Sequence, residues 1–270
     1  MISPAERRQA ADALTNARLR RAPIAPLTET FPGFDVEDAY AVQELAIAHR
    51  RIAGARPVGW KVGLTSLAMQ RQLGVDQPDF GPLLDEMRVA DGACPVGDLI
   101  SPRVEGELAF VLGDDVGGSG VSDEQALAAV ERVVPALEII DSRVADWRIA
   151  LADTIADHAS SARFALGGPG SAPDGVDLAA VQLVLEQDGV EVDRGVGAAV
   201  LGHPVRAVAW LARTLDAYGE RLHTGDVVLA GALHAAIPVV AGSEVRARFD
   251  GGVGEVAVRF EHEPHRQEAP

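Results

Sequence analysis

At 270 residues, 47% hydrophobic and 24% charged, the chain has ordinary globular composition and is long enough for one large core or two modest domains. A net charge of −16 argues against nucleic acid or an anionic membrane as partner, since both demand basic patches, and an anionic substrate would need a metal, lysine or arginine nearby. One cysteine, Cys94, excludes an internal disulfide, no apolar run approaches the ~20 residues of a membrane span, and no signal-peptide core is present, so the cytoplasm is the expected compartment.

Ser3-Pro4-Ala5-Glu6 is a capping box with proline at the first helical position, and apolar Ala10, Ala13, Leu14 and Ala17 predict a short amphipathic helix ending near Arg21. A proline-containing link from Ala22 to Gly33 precedes a second helix, which starts after Asp35 and stops at Arg50, Arg51 and Gly54. Nothing in these two helices suggests chemistry. Val58 to Leu64 then reads as a strand with Trp60, Val62 and Leu64 on one face. On the other face Lys61 is flanked by Gly59 and Gly63, which leaves room around its ammonium. Glycine inside a strand marks close approach by a ligand or another backbone, but spacing alone favours a snorkelling edge lysine. Thr65 or Ser66 can cap a one- or two-turn helix to Leu73. Gly74 leads into a long irregular loop from Val75 to Pro82, a place where substrate contacts tend to sit. Cys94 falls in a Gly-Ala-Cys-Pro-Val turn with no neighbouring histidine, so no reactive role is expected of it.

The strand Val104 to Leu112 carries Glu105 and Glu107 on one face, followed there by Ala109 and Val111, so both of its faces read as buried. Adjacent buried carboxylates cost several kcal/mol each unless something positive offsets them. Glu138, on the strand from Val133 to Asp141, shares its face with Val134, Ala136 and Ile140 and is a third embedded charge. Three carboxylates without nearby cysteine or histidine suit Mg2+ or Mn2+ rather than Zn2+. Structural ion pairs of Glu105 and Glu107 with Arg103 and Arg143 explain the same spacing equally well.

Between those strands, Gly113 to Gly120 is a plain loop, and Ser122 with Gln125 starts a helix running through Arg132. Beyond Trp147, the stretch 152–161 is dense in polar residues yet bracketed by apolar ones. Val181 to Gln187 and Val190 to Arg194 flank Asp188-Gly189, a strong hairpin signal. One helix begins at Pro204, and strands resume at Val227–Ala230, Ile237–Val240, Glu244–Phe249 and Glu255–Phe260. Strands predominate without alternating regularly with helices. The pattern predicts an α+β fold closed into a sandwich or roll, not a Rossmann or TIM fold. His262-Glu263-Pro264-His265 lies too near the end, and with the wrong spacing, for a zinc helix; it reads as a frayed terminus.

Five segments in this order resemble the 2-keto-4-pentenoate hydratases of the fumarylacetoacetate hydrolase superfamily. They are Gly59-Trp60-Lys61-Val62-Gly63-Leu64-Thr65-Ser66, Gly74-Val75-Asp76-Gln77-Pro78-Asp79-Phe80-Gly81, Glu105-Gly106-Glu107, the run from Pro135 to Arg143, and Asp153 to Ser161. The later Gly225-Asp226-Val227 is similar to the superfamily's closing strand. The resemblance implies a mixed β-roll with an N-terminal helical region over residues 1–55, a metal-binding catalytic domain over 56–262 and a flexible tail over 263–270. It implies Mg2+ or Mn2+ held by Glu105, Glu107 and Glu138, functional roles for Lys61 and Asp79, and substrate contacts from Ser160 and Ser161. Two departures stand out: Trp60 where many relatives carry Tyr or Arg, and His158 where many carry Asn.

The implied reaction is addition of water to a small anionic 2-hydroxydienoate, 2-hydroxypenta-2,4-dienoate, giving 4-hydroxy-2-oxopentanoate in meta-cleavage catabolism of aromatic compounds. Lys61 is the first candidate for proton handling or carboxylate binding, and Asp79 for the base. The resemblance also implies a homo-oligomer and an association with the sister decarboxylase. Alternatives are a 4-oxalocrotonate (2-oxo-3-hexenedioate) decarboxylase on the same scaffold, an acylpyruvate hydrolase, disfavoured without a water-activating His-Glu pair, and a non-catalytic scaffold subunit.

Overall fold

Ser3 Oγ accepts the Glu6 N–H at 3.3 Å while the Glu6 carboxylate accepts the Ser3 N–H at 2.8 Å, and this reciprocal cap opens helix α1 (Pro4–Arg20). In this computed structural model, which describes residues 1–66, 70–71 and 74–262, the link beyond α1 contains one short turn, α2 (Leu27–Thr30). Asp35 and Asp38 cap α3 (Val36–Ile52) in the same reciprocal way. The apolar stripes of α1 and α3 meet around Leu14, Phe34 and Val42, and buried Asp38 is paired with Arg7 at 2.7 Å. No helix among the described residues is long and apolar enough to cross a membrane.

Strands β1 (Pro57–Gly63), β2 (Asp79–Leu84), β3 (Ala93–Pro95) and β4 (Arg103–Leu112) follow, then α4 (Asp123–Ala128), β5 (Val130–Ile140) and α5 (Leu151–Ala156). The second half comprises β6 (Ser161–Leu166), β7 (Gly168–Pro169), β8 (Gln182–Gln187), β9 (Val190–Val196), α6 (Val205–Asp216), β10 (Val227–Ala232), β11 (Ile237–Pro238), β12 (Glu244–Phe249) and β13 (Gly254–Glu261). One seven-stranded sheet has the order β2-β1-β10-β4-β5-β6, with β11 also on β4; a six-stranded sheet has the order β3-β13-β12-β8-β9, with β7 on β13. Each sheet mixes one parallel pair, β1–β10 or β13–β3, with antiparallel ones. The expected α+β architecture, not a βαβ one, is what forms.

The main core lies between the sheets, where Leu108 and Phe110 of β4 meet Leu183, Val245 and Val258. Along β4 and β5 the alternate residues Ala109, Val134 and Ala136 point the other way and pack with Leu229 against Ile47 of α3. That second face is the one on which Glu105, Glu107 and Glu138 lie. The N-terminal helices therefore roof the carboxylate-bearing face of the larger sheet.

Several elements depart from the sequence expectation. The stretch expected as a loop through Pro82 contains β2, a strand whose six residues are all buried against β1. Proline is compatible here because β2 is the edge of its sheet and Pro82 needs no N–H on the free side. The helix expected through Arg132 stops at Ala128, because β-branched Val130, Val133 and Val134 are taken into the ladder with β4. Cys94 lies in β3 rather than a turn, and burial pushes its thiol up to about 11, which keeps it unreactive. The Asp188-Gly189 hairpin forms as expected, with φ of 52° and 77°. The short helix expected up to Leu73 falls partly, and the tail 263–270 wholly, outside the described residues.

Candidate active site

In the β4–β5 ladder Glu105 stands directly opposite Glu138, and Glu107 opposite Ala136. Strand alternation puts all three carboxylates on the helix-covered face, where one oxygen from each lies within 4.8 Å of the others. Glu107 and Glu138 are buried and Glu105 is half-buried. Burial first, then repulsion from Glu138, raises the pKa of both Glu105 and Glu107. Neither carboxylate oxygen of Glu138 has a hydrogen-bond partner among the described residues. Clustered carboxylates with orphaned buried oxygens fit a hard divalent cation, and the all-oxygen donor set fits Mg2+ or Mn2+.

A bulge in β10 completes this corner. The ladder with β4 shifts register between Leu229 and Ala232, and the Gly231 N–H turns to donate to Glu107 Oε2 at 2.8 Å. Gly231 has φ +106°, and a Cβ there would sit 2.1 Å from Thr65 Oγ1, so only glycine serves. The Gly106 N–H donates to His234 Nε2 at 2.8 Å, and the opposite ring N–H, on Nδ1, is met by the Ala235 carbonyl at 2.6 Å. His234 is thus a neutral imidazole, its pKa lowered by burial.

Lys61 is not an edge residue: β1 lies between β2 and β10, and the lysine is buried. Its Nζ donates to the Ala159 carbonyl at 2.9 Å and lies 3.6 Å from Glu138 Oε2. Burial opposes its charge, but Glu138 and then Asp79 more than offset this and raise its pKa, so it stays an ammonium. Asp79, expected in a loop, is the first residue of β2, opposite Gly63. A Cβ at Gly63 would fall 2.2 Å from Asp79 Oδ1 and 2.9 Å from Lys61 Nζ, so the glycine reserves the space the pair occupies. Asp79 Oδ1 has no hydrogen-bond partner among the described residues, and burial raises the pKa of the carboxyl against the pull of Lys61.

The wall beside Lys61 is the strained segment His158-Ala159-Ser160, with φ of 60°, 47° and 56°. Its rigidity comes from ties to three other elements. Arg143 forms a buried ion pair with Asp157, and the Arg143 N–H donates to Asp157 Oδ2 at 2.8 Å. His158 Nε2 meets the Pro82 carbonyl, and its Nδ1 meets Arg50 Nη1 at 3.1 Å. A carbonyl only accepts and a guanidinium only donates, so His158 is the neutral Nε2–H tautomer. Ser160 Oγ lies 3.1 Å from Thr154 Oγ1, whereas buried Ser161 Oγ has no partner among the described residues.

The ion-pair alternative for Glu105 and Glu107 does not hold among the described residues. Arg143 is committed to Asp157, and the Arg103 guanidinium stacks 4.5 Å over the Trp147 ring. Sequence reasoning missed Arg50, which reads only as a cation closing a helix, and the bulge at Gly231. Gly231 was visible as the glycine ending an apolar strand; Arg50 had no comparable signal.

Residues 85–261 match the family model for the fumarylacetoacetate (FAA) hydrolase C-terminal domain. The chain is 45% identical over 261 residues to a 2-keto-4-pentenoate hydratase of Paraburkholderia xenovorans (strain LB400), covering 96% of this chain and 97% of that protein. It is 43% identical over 255 residues to a 2-hydroxyhexa-2,4-dienoate hydratase of Comamonas testosteroni, covering 92% and 94%. Among solved structures, the 4-oxalocrotonate decarboxylase from Pseudomonas putida G7, complexed with magnesium and adipate, matches with a TM-score of 0.92 at 36% identity, covering 96% of this chain and 99% of that one.

Proposed function

The chain belongs to the fumarylacetoacetate hydrolase family, and from that premise we propose that it is a hydratase, a hydro-lyase adding water to 2-hydroxypenta-2,4-dienoate to give 4-hydroxy-2-oxopentanoate. The observation that carries the reading is the carboxylate trio, in which Glu138 has no hydrogen-bond partner among the described residues and its Oε2 lies 3.6 Å from the Lys61 ammonium, in a chain aligned almost end to end with named hydratases.

Glu105, Glu107 and Glu138 would hold a divalent cation, Mg2+ or Mn2+, which when bound supplies Lewis acidity that stabilises negative charge at the substrate's C2 oxygen. Lys61, anchored by the Ala159 carbonyl, has ammonium N–H donors left for the substrate carboxylate. Asp79 sits where a proton can pass to or from the substrate, and its burial favours the proton-holding form. The sequence of bonds is loss of the C2 hydroxyl proton with protonation at C5, which gives an unsaturated ketone, then addition of water, its hydroxyl to C4 and a proton to C3. Ser161 Oγ, buried and unpartnered, is a further donor for substrate oxygen, with Ser160 held beside it. In this reading the helical region 1–55 closes the roof over the catalytic portion 56–262. Cytoplasmic location, homo-oligomeric assembly and association with a sister decarboxylase belong to the same proposal.

Decarboxylation is the second reading, favoured by the TM-score of 0.92 to a decarboxylase. A second substrate carboxylate would meet Asp76 and Asp79, with no lysine or arginine between Val75 and Leu84. A purely scaffolding role leaves the buried charges of Lys61 and the trio without a reason. The test is incubation of the Mg2+-loaded protein with freshly generated 2-hydroxypenta-2,4-dienoate and product identification by NMR. Accumulation of 4-hydroxy-2-oxopentanoate supports hydration; decay of the dienol only to the unsaturated ketone overturns it.

A further inference from the structure

A cavity of about 350 Å3 lies behind the 157–161 segment, and neither the carboxylate trio nor Lys61 nor Asp79 lines it. Its walls bring together five arginines: Arg18 in the last turn of α1, Arg21 just beyond it, which donates to the Gly97 carbonyl, Arg50 in the last turn of α3, Arg143 after β5 and Arg163 in β6. In a chain of net charge −16, such a concentration of guanidinium groups runs against the average field.

The charges in this cavity are only partly matched. Arg143 is paired with Asp157, and Arg50 with Glu86 at 2.6 Å. Asp141 also lines the wall, but its two oxygens accept the Ile100 and Ser101 N–H groups at 2.9 and 2.7 Å. Arg163 reaches Asp98 only at 4.0 Å, and that carboxylate is 61% exposed. Arg18 is half-buried and has no carboxylate in ion-pair range among the described residues. Burial, together with Arg143 and Arg163 and against the pull of Glu86, lowers the pKa of Arg18. A half-buried guanidinium such as Arg18, set near Arg143 and Arg163 with no carboxylate in ion-pair contact among the described residues, is costly unless an anion joins it.

The apolar part of the lining includes Leu14 and Ile47. We propose that this cavity binds a small organic dianion, a dicarboxylate or a phosphate monoester, with its charged groups on Arg18 and Arg163 and its apolar body along Leu14 and Ile47. The volume is within the range of small-molecule sites, and planar guanidinium groups bind carboxylate and phosphate oxygens in pairs. The cavity shares the wall residues His158 and Ser161 with the candidate active site but no carboxylate with the metal centre, so the Glu107→Gln arm below separates the two.

The test is calorimetric titration of the full Mg2+-loaded chain at low ionic strength with two probes, glutarate and phenyl phosphate. Saturable binding of either probe is expected, weakened about tenfold or more in Arg18→Gln and in Arg163→Gln and by added salt, but kept in Glu107→Gln. Which probe binds more tightly tells carboxylate from phosphate. The proposal is overturned if neither probe saturates, if both arginine variants bind as the parent does, or if Glu107→Gln abolishes binding and so assigns the probe to the metal centre.

Discussion

Glu105 and Glu138 face each other across the β4–β5 ladder, two carboxylates in a pairing where like charges are destabilising. Glu107 adds a third on the same face, and among the described residues Lys61 reaches only Glu138 within ion-pair distance. One ammonium does not balance three carboxylates. The protein holds an arrangement that folding alone would disfavour, and a divalent cation held as proposed above would offset it.

Removing one of these carboxylates therefore separates binding from stability. In Glu107→Gln the amide oxygen can still accept the Gly231 N–H, while one repelling charge is gone. Calorimetry is expected to show Mg2+ affinity reduced by about tenfold or more, with metal-free thermal stability unchanged or higher. Unchanged metal affinity with lost stability would favour a structural role for the carboxylates.

The same repulsion sets a pH dependence. Folding raises the pKa of Glu105 and Glu107 above the ~4.3 of an unfolded glutamate, so the native state binds more protons across that window. The trio's contribution to metal-free stability accordingly falls as pH rises from ~4.3 through the raised values. A cation competes with those protons, so the rise in Tm on adding a fixed Mg2+ concentration should be larger at about pH 8 than at about pH 6. Differential scanning calorimetry with and without metal measures it; an equal or smaller shift at the higher pH contradicts the assignment.

Lys61→Met keeps the apolar stem and deletes the charge. A loss of about a hundredfold or more in kcat/KM is expected, with Mg2+ affinity equal or tighter because a positive neighbour is gone. Turnover within about threefold of the parent, under ~0.7 kcal/mol in barrier, would make Lys61 merely structural.

His158 makes a prediction by geometry. Its ring donates to the Pro82 carbonyl and accepts from Arg50, holding the segment whose Ala159 carbonyl fixes Lys61. Asparagine offers one donor and one acceptor, whereas leucine offers neither. His158→Leu should cost about 1–3 kcal/mol of stability together with turnover, and His158→Asn should restore most of both. Burial and then Arg50 lower the His158 pKa well below its usual value, so the parent's pH–rate profile should carry no inflection from it. Chemical denaturation and kcat across the three proteins check this.

Much of this site was legible in the chain because its signals were local. Charges embedded in apolar strands marked Glu105, Glu107 and Glu138, and of the glycines flanking Lys61, Gly63 marked space that Asp79 fills and Gly59 the close approach of the Val227 backbone. Alternation alone could not say that Glu105 and Glu138 were partners, since register is a property of two strands. The strand β2 was hidden by Gly81 and Pro82, residues that read as a turn unless the strand is known to be an edge. The tie from Arg50 to His158 joins residues 108 apart and left no periodic trace. Its helix-closing position explained Arg50 well enough to conceal what else it touches.

The most direct test of the account sets two substrates against each other on the same Mg2+-loaded protein. Hydration and decarboxylation need the same stabilised charge at C2, so only the far end of the substrate distinguishes them. In the proposed reading that end is set against the segment from Val75 to Leu84, which carries Asp76 and Asp79 and no lysine or arginine. In parallel incubations, 2-hydroxypenta-2,4-dienoate should yield 4-hydroxy-2-oxopentanoate, and 2-oxohex-3-enedioate should turn over poorly with little carbon dioxide. Rapid stoichiometric carbon dioxide from the diacid, with no hydroxy-keto acid from the dienoate, would contradict the assignment.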